Sequence, residues 1–251
     1  MTTILVSTPR VAVRVCRYAP GERHKRHTDP FSRISYVLRG AFTEDVRSGS
    51  ALMGPGEVLV KSSAAKHENA FGPQGAVLVA LEFVGHDPIA DCGADFWRKR
   101  VDANAMRLAT AFVEAGVAGD GAGAEIAGAD IVAANDESAE RSAPKWLRHL
   151  SNDLADAGLA EINVTERARE AGVHPVHASR LFRRCYGASI TEYAQAQTVR
   201  RAVARLTDNA PLSEIALDAG FYDQSHMNRV FRRVLGRTPA AQRSLMRLAA
   251  C

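Results

Sequence analysis

Apolar and polar positions follow two different periods along this chain. Through residue 84 the apolar residues come in short β-rich runs: Val11-Ala12-Val13-Arg14-Val15, Ile34-Ser35-Tyr36-Val37-Leu38, Glu57-Val58-Leu59-Val60 and Ala76-Val77-Leu78-Val79-Ala80-Leu81. Turn chemistry separates them, at Pro20-Gly21, Arg39-Gly40, Gly54-Pro55-Gly56 and Gly72-Pro73. Many short strands with regular turns predict an all-β sandwich or barrel. From Trp97 the period lengthens: Trp97, Val101, Leu108 and Phe112 recur at helical spacing, with Asp95 as the expected cap and Gly116 as the expected end. Such a helix suits packing on the barrel or pairing with a second copy. Residues 116–143 are rich in Ala, Gly and acids, which predicts a linker with a marginal helix around Ile126 to Ala134.

Beyond the linker the helical period takes over. Pro144 is expected at a first helical position, Trp146, Leu150 and Leu154 fall at i, i+4 and i+8, and Gly158 is the expected stop. One pattern then appears twice. Ala168, Gly172 and Phe182-Arg183-Arg184-Cys185-Tyr186-Gly187 form the first copy; Ala216, Gly220 and Phe231-Arg232-Arg233-Val234-Leu235-Gly236 form the second. A small residue four before a glycine lets two helices cross closely, and the glycine takes the positive φ of the turn. This is helix-turn-helix patterning, written twice.

The two copies differ in their caps. Asn163-x-x-Glu166 opens the first unit, and its second helix begins with His174 as cap and Pro175 at N1. Asp223 caps the corresponding helix of the second unit, and histidine is a weaker cap than aspartate. Ser189-x-x-Glu192 starts a long connecting helix through Tyr193, Ala202 and Leu206, and Thr238-Pro239 starts a last, short one. In unit one, Ala178, Leu181 and Phe182 face inward, which leaves Val176, His177, Ser179, Arg180, Arg183 and Arg184 outside. In unit two, Met227, Val230, Phe231 and Val234 face inward, which leaves Gln224, Ser225, His226, Asn228, Arg229 and Arg232 outside. Unit two is therefore expected to be the firmer fold and unit one the more adjustable.

Charge sharpens the division. Residues 1–140 carry 15 Lys and Arg against 18 Asp and Glu, whereas residues 141–251 carry 17 against 10. A basic C-terminal half with arginines on helices is the footprint of a polyanion partner. No run of 18 apolar residues exists, so no membrane span is expected, and the N-terminal apolar run is too brief for a signal peptide. Cys16, Cys92, Cys185 and Cys251 are scattered without metal or redox spacing, which suits reduced thiols in the cytoplasm.

Two helix-turn-helix units on one long helix resemble the DNA-binding domain of the AraC family of bacterial transcription regulators. The resemblance covers about residues 144–247 and is closest over EIALDAGFYDQSHMNRVFRRVLGRTPAAQR. It implies a sequence-specific regulator that binds double-stranded promoter DNA and meets RNA polymerase, usually as a homodimer. Val176, Ser179 and Arg180 of unit one, with Gln224, Ser225 and Arg229 of unit two, are the implied base readers. Arg183, Arg184, Arg232 and Arg233 are the implied phosphate contacts, with His177 and His226 on the same faces. Two units held by one helix would address successive major-groove segments about 34 Å apart. Ala178 stands where the family usually has leucine, and Thr198 where arginine is frequent, which puts a core contact and a phosphate or ion-pair contact in doubt.

The order PGERHKRH, YVLRGAF, GPGEVLV, AAKHENAFG resembles a cupin barrel of the sensor type. Cupins hold a metal with histidines from two motifs and a glutamate. Here His24, His27 and His67 are the matching positions, spaced His-x-x-His rather than His-x-His, with no glutamate at the usual interval and Asp29 as a loose stand-in. Three converging imidazoles can bind a metal; the plainer readings are a small-ligand barrel without a cofactor and a solvated polar loop at 24–27. The expected organisation is a two-domain chain: a cupin-like all-β barrel at 1–94, a helix and linker at 95–143, and an all-α double helix-turn-helix at 144–251. The expected function is transcription regulation by a small-molecule effector bound in the barrel, and not catalysis. The alternatives are a constitutive DNA-binding regulator and a metal-dependent cupin enzyme fused to a DNA-binding domain.

Overall fold

A computed structural model describes residues 1–47, 49–93, 96–100, 102–134, 143–156 and 162–250. The N-terminal half is an antiparallel β structure of β1 (Thr2–Ser7), β2 (Val11–Tyr18), β3 (Arg23–His27), β4 (Arg33–Val46), β5 (Gly49–Met53), β6 (Val58–Lys61), β7 (His67–Phe83) and β8 (Trp97–Arg100). Its main path runs β1-β2-β7-β4-β6-β8, with β3 on β7 and β5 on β4. The long strands β4 and β7 each belong to two layers. One end of each pairs within the main path, and the other end pairs with β5 and β3 respectively. Register shifts at Val37/Arg39 and Gly40/Phe42 mark the bend between the layers.

These strands read as continuous apolar runs because both faces are covered. Val11, Val13, Val15, Ile34, Tyr36, Val58, Val60, Val79 and Leu81 point to the helices, while Cys16, Val37, Phe42, Leu59, Phe71, Leu78 and Ala80 point into the barrel. The helices on the outer face are α1 (Ala103–Val117) and α2 (Gly121–Ala133). Both depart from the expectation. Trp97 belongs to a strand paired with β6, so the sheet extends past residue 94, and α1 starts after Asp102, whose carboxylate accepts from Ala105 N–H. The Asp95 cap and Val101 lie outside the described residues. The Ala/Gly-rich stretch is a full helix capped by Asp120, not a linker with a marginal one. Its small residues let it lie close on the sheet: a Cβ on Gly128 would stand 3.1 Å from Leu81 and 3.2 Å from Phe83. Sequence reading failed here because small side chains carry little periodic signal even where they are buried. The remainder of that linker, 135–142, lies outside the described residues.

The C-terminal half comprises α3 (Lys145–Asp156), α4 (Val164–Glu170), α5 (Pro175–Tyr186), α6 (Ile190–Arg205), α7 (Leu212–Asp218), α8 (Gln224–Leu235) and α9 (Pro239–Ala250). Pro144 precedes α3 and supplies the first carbonyl acceptor, and α9 is longer than the short helix expected. Gly158 lies outside the described residues. Both helix-turn-helix units form on their predicted residues: Ala168 and Ala216 are fully buried, and Gly172 and Gly220 adopt φ of 69° and 92°. The connecting helix α6 opens with the full Ser189–Glu192 capping box.

The two units belong to different cores. Phe182, Cys185, Ile190 and Ala194 form a separate cluster with Leu147, Leu150 and Leu154. Ile215, Ala216, Met227, Phe231 and Met246 join the same continuous cluster as the barrel's outer face, α1 and α2. Unit two is thus seated on the barrel assembly, and unit one hangs from α3 and the start of α6. Amide exchange should then protect 224–235 more than 175–186; equal or reversed protection would refute the asymmetry. Phe231→Ala should cost about 3–5 kcal/mol and lower the stability of the barrel too, whereas Phe182→Ala should loosen 145–156 and 164–193 while barrel amides stay protected.

Candidate functional site

The barrel interior holds a cavity of about 140 Å³ lined by both polar and apolar groups. In β3, residues three apart would face opposite ways, but a bulge between His24 and His27 turns both toward the cavity. The alternative of a solvated loop at 24–27 gives way to a strand, β3. His67, on β7 opposite His27, is 1% exposed. His27 and His67 have ring centroids 4.3 Å apart, and with Asp29 they offer ligand atoms all within 4.8 Å of one another. His24 stands further out, its Nε2 bonded to Glu22 at 2.8 Å and its ring edge-on to Tyr18 and Phe71.

Two residues that sequence reading passed over occupy the centre. Lys61, at the end of β6, places its Nζ 2.7 Å from His67 Nε2, 3.1 Å from Asp29 Oδ2 and 3.1 Å from Glu44 Oε1. Glu44, 2% exposed, also accepts from Asn69 Nδ2 and Trp97 Nε1, each at 2.9 Å. No glutamate stands at the usual interval after the histidines; the carboxylate that enters the cavity comes instead from near the end of β4. Arg33 completes the floor, donating from Nε to Ser35 Oγ at 3.1 Å and lying 3.7 Å from Asp29. The signal overlooked was charge at inward positions of otherwise apolar strands, Lys61 after Val58-Leu59-Val60 and Glu44 after Phe42.

Burial and neighbours set the ionisation of this cluster. Burial would raise Asp29, but Arg33 and Lys61 outweigh it and hold the carboxyl below its ordinary value. Burial lowers Lys61 against the pull of Glu44 and Asp29, and it pushes the Tyr18 hydroxyl up to about 12. His67 is lowered by burial first and by Lys61 second. Its Nδ1 faces the Ala65 carbonyl at 2.9 Å, so that nitrogen carries the proton and Nε2 presents its lone pair to the lysine.

The second candidate site is the pair of outward helix faces. Val176, His177, Ser179, Arg180, Arg183 and Arg184 on α5 are exposed, as are Gln224, Ser225, Arg229, Arg232 and Arg233 on α8, while His226 is half-buried. The caps differ as expected: His174 Nδ1 accepts from Val176 N–H at 3.3 Å, Asp223 from His226 N–H at 2.6 Å. Arg183 reaches Glu192 at 3.5 Å and Arg233 reaches Gln195 at 3.4 Å, both on α6. Arg180, Arg184, Arg229 and Arg232 form no ion pair among the described residues. His226 is turned back on its own turn, its Nδ1 accepting from Tyr222 N–H at 3.3 Å and its ring against Phe221. Tyr222, 86% exposed beside the start of α8, was not singled out by the sequence pattern. Thr198, where the family often has arginine, accepts from Arg201 at 3.1 Å, so that position braces α6 rather than leaving a gap.

A family model described as a helix-turn-helix domain matches residues 167–244. The regulatory protein SoxS of Salmonella typhimurium is 31% identical over 83 residues, which is 33% of this chain and 78% of that protein. The arabinose operon regulatory protein of Escherichia coli is 28% identical over 98 residues, 39% of this chain and 32% of that protein. The HTH-type transcriptional regulator GlxA of Rhizobium meliloti is 38% identical over 81 residues, 32% of this chain and 25% of that protein. The chain thus spans about a quarter to a third of the length of the last two. It belongs to the AraC family of helix-turn-helix transcription regulators. Among the described residues no helix is long and apolar enough to cross a membrane.

The lowered His67 gives the fold a pH dependence. As pH falls through about 6.5 the unfolded chain takes up a proton on this imidazole that the folded chain refuses, so stability declines from there down to the folded value. Urea midpoints measured across that window should fall for the wild type and fall less for His67→Gln; identical slopes would remove His67 from the effect.

Proposed function

We propose that the chain binds promoter DNA through α5 and α8 and regulates transcription in response to a small polar molecule held in the barrel. The observation that carries the DNA half is the pair of capped helices, each exposing polar residues at its first turns and arginines further along. A helix enters the major groove by its N-terminal residues. On this reading Val176, Ser179 and Arg180, with Gln224, Ser225 and Arg229, read the base edges; their exposure on the outer faces of α5 and α8 supports the assignment. Arg suits guanine O6 and N7, Gln suits adenine, and Val176 suits a thymine methyl. Arg184 and Arg232 suit phosphates, whereas Arg183 and Arg233 must first leave Glu192 and Gln195. His226, bonded to the Tyr222 amide, serves the turn and offers only its outer nitrogen to a phosphate.

The cavity supports the effector half. Its volume suits a molecule of roughly benzene size. Phe42, Phe71 and Leu78 supply an apolar wall, and the fixed charges of Arg33 and Lys61 are matched by Asp29 and Glu44. A compact molecule without a large net charge of its own fits that balance. A second copy of the chain and RNA polymerase complete the reading as partners.

Arg229→Ala should cost about 1–3 kcal/mol on the specific site and relax the preference at one base pair, measured by gel shift on specific and random duplexes. Equal loss on both would reduce Arg229 to a phosphate contact. Arg184→Ala should weaken all sequences alike and lower the slope of log affinity against log salt by about one.

A further inference from the structure

We propose that Lys61 is the resident cation of the barrel pocket and stands where a divalent metal would sit, so that the pocket receives its ligand without a metal. His27, Asp29 and His67 by themselves have the donor types and the spacing of a metal site. The His67 ring is also prepared as a ligand, its Nδ1 proton tied to the Ala65 carbonyl and its Nε2 lone pair directed inward. Lys61 Nζ lies at 2.7 Å from that nitrogen. An ion held by the same nitrogen at about 2.0–2.1 Å, on the side that Nζ occupies, would overlap the lysine. Lysine and metal are therefore mutually exclusive at this point.

The contacts agree. Nζ is hydrogen-bonded to His67 Nε2 and ion-paired with Asp29 Oδ2 and Glu44 Oε1, so an ammonium already stands among the imidazole and the two carboxylates that a cation would need. The stem has no slack to withdraw, because the Lys61 side chain is 4% exposed and the rest of its strand is buried. Charge agrees as well. Lys61 and Arg33 already balance Asp29 and Glu44, so a divalent ion added beside them would leave two positive charges in excess in a pocket where burial makes excess charge costly. Among the lining imidazoles, His27 keeps an inward lone pair: its Nδ1 is bonded to the Lys25 carbonyl and its Nε2 stands 4.0 Å from Asp29. That nitrogen is open to a hydroxyl or amine of an organic ligand.

The inference rests on the barrel pocket being the ligand site, and metal content is read without DNA, so its failure would leave the DNA-binding reading standing. The test uses the full chain as wild type, Lys61→Ala, and Lys61→Ala combined with His67→Ala. Each is exposed separately to Zn²⁺, Ni²⁺ and Mn²⁺, desalted, analysed for retained ion and melted. The wild type should keep well under one ion per chain with an unmoved Tm. Lys61→Ala should keep about one ion, with a raised Tm, and the double variant should lose both gains. If Lys61→Ala does not fold alone, refolding it from urea with the ion present should restore the fold. A wild type that keeps one ion dependent on His67 would overturn the proposal, as would a Lys61→Ala chain that neither binds nor is rescued.

Discussion

Glu57, buried at the start of β6, holds two cations from different parts of the chain. Its Oε1 accepts from Arg200 of α6 at 2.8 Å, its Oε2 meets Lys99 of β8 at 2.9 Å, and that same oxygen also accepts from Gly54 N–H at 2.7 Å. A carboxylate this buried is tolerable only with such partners, because its desolvation must be offset by paired charge and hydrogen bonds. The consequence is geometric. The connecting helix of the double helix-turn-helix cannot move away from the barrel without leaving Glu57 underpaired. Arg200 packs within 3.1 Å of the position a Gly56 Cβ would take, so the contact also depends on glycine at that turn.

Around this ion pair the seam is part apolar and part polar. Phe231, Met246 and Val203 share a core with α1 and the outer face of the sheet. The same seam holds Gln242, which donates to Thr110 at 3.5 Å, and Arg237, which pairs with Glu114. Tyr36 Oη, Arg237 Nε and Gln242 Oε1 are buried without a hydrogen-bond partner among the described residues. Unpaired buried polar atoms each cost about 1–3 kcal/mol, and water reclaims that cost when such a surface opens. An interior built only for stability would have apolar groups at these places. This seam resembles a contact between two bodies more than the middle of one.

Legibility in the sequence followed the strength of local rules. The paired turns of the C-terminal half were readable because Gly172, Gly220, Gly187 and Gly236 have few substitutes at positive φ, and the caps Asn163, Ser189 and Asp223 have strong local chemistry. The four principal β runs were readable for the same reason. Helix α2 was not, because alanine and glycine mark neither face. The pocket was half legible. Its histidines stood out by type, but the bulge that aims both His24 and His27 inward depends on pairing with β7 and has no local signature. Lys61 and Glu44 meet across strands that are distant in sequence, so their partnership is a product of register alone. The same limit hid the shared core of unit two: Met227 and Phe231 read correctly as inward, but what they face is decided by α1.

Strands β6 and β8 connect these separate observations. Lys61 and Trp97 are cross-strand partners at one end of the pair, and both bind Glu44 in the pocket. Leu59 and Lys99 are partners further along, and Lys99 meets Glu57, which holds Arg200. Pocket and clasp are thus two ends of one short ladder, four residues of β6 against four of β8. Every residue of β6 is buried, so the strand moves as a unit or not at all. This ladder therefore joins the buried charges of the pocket to the Glu57–Arg200 contact with the helix that connects the two helix-turn-helix units.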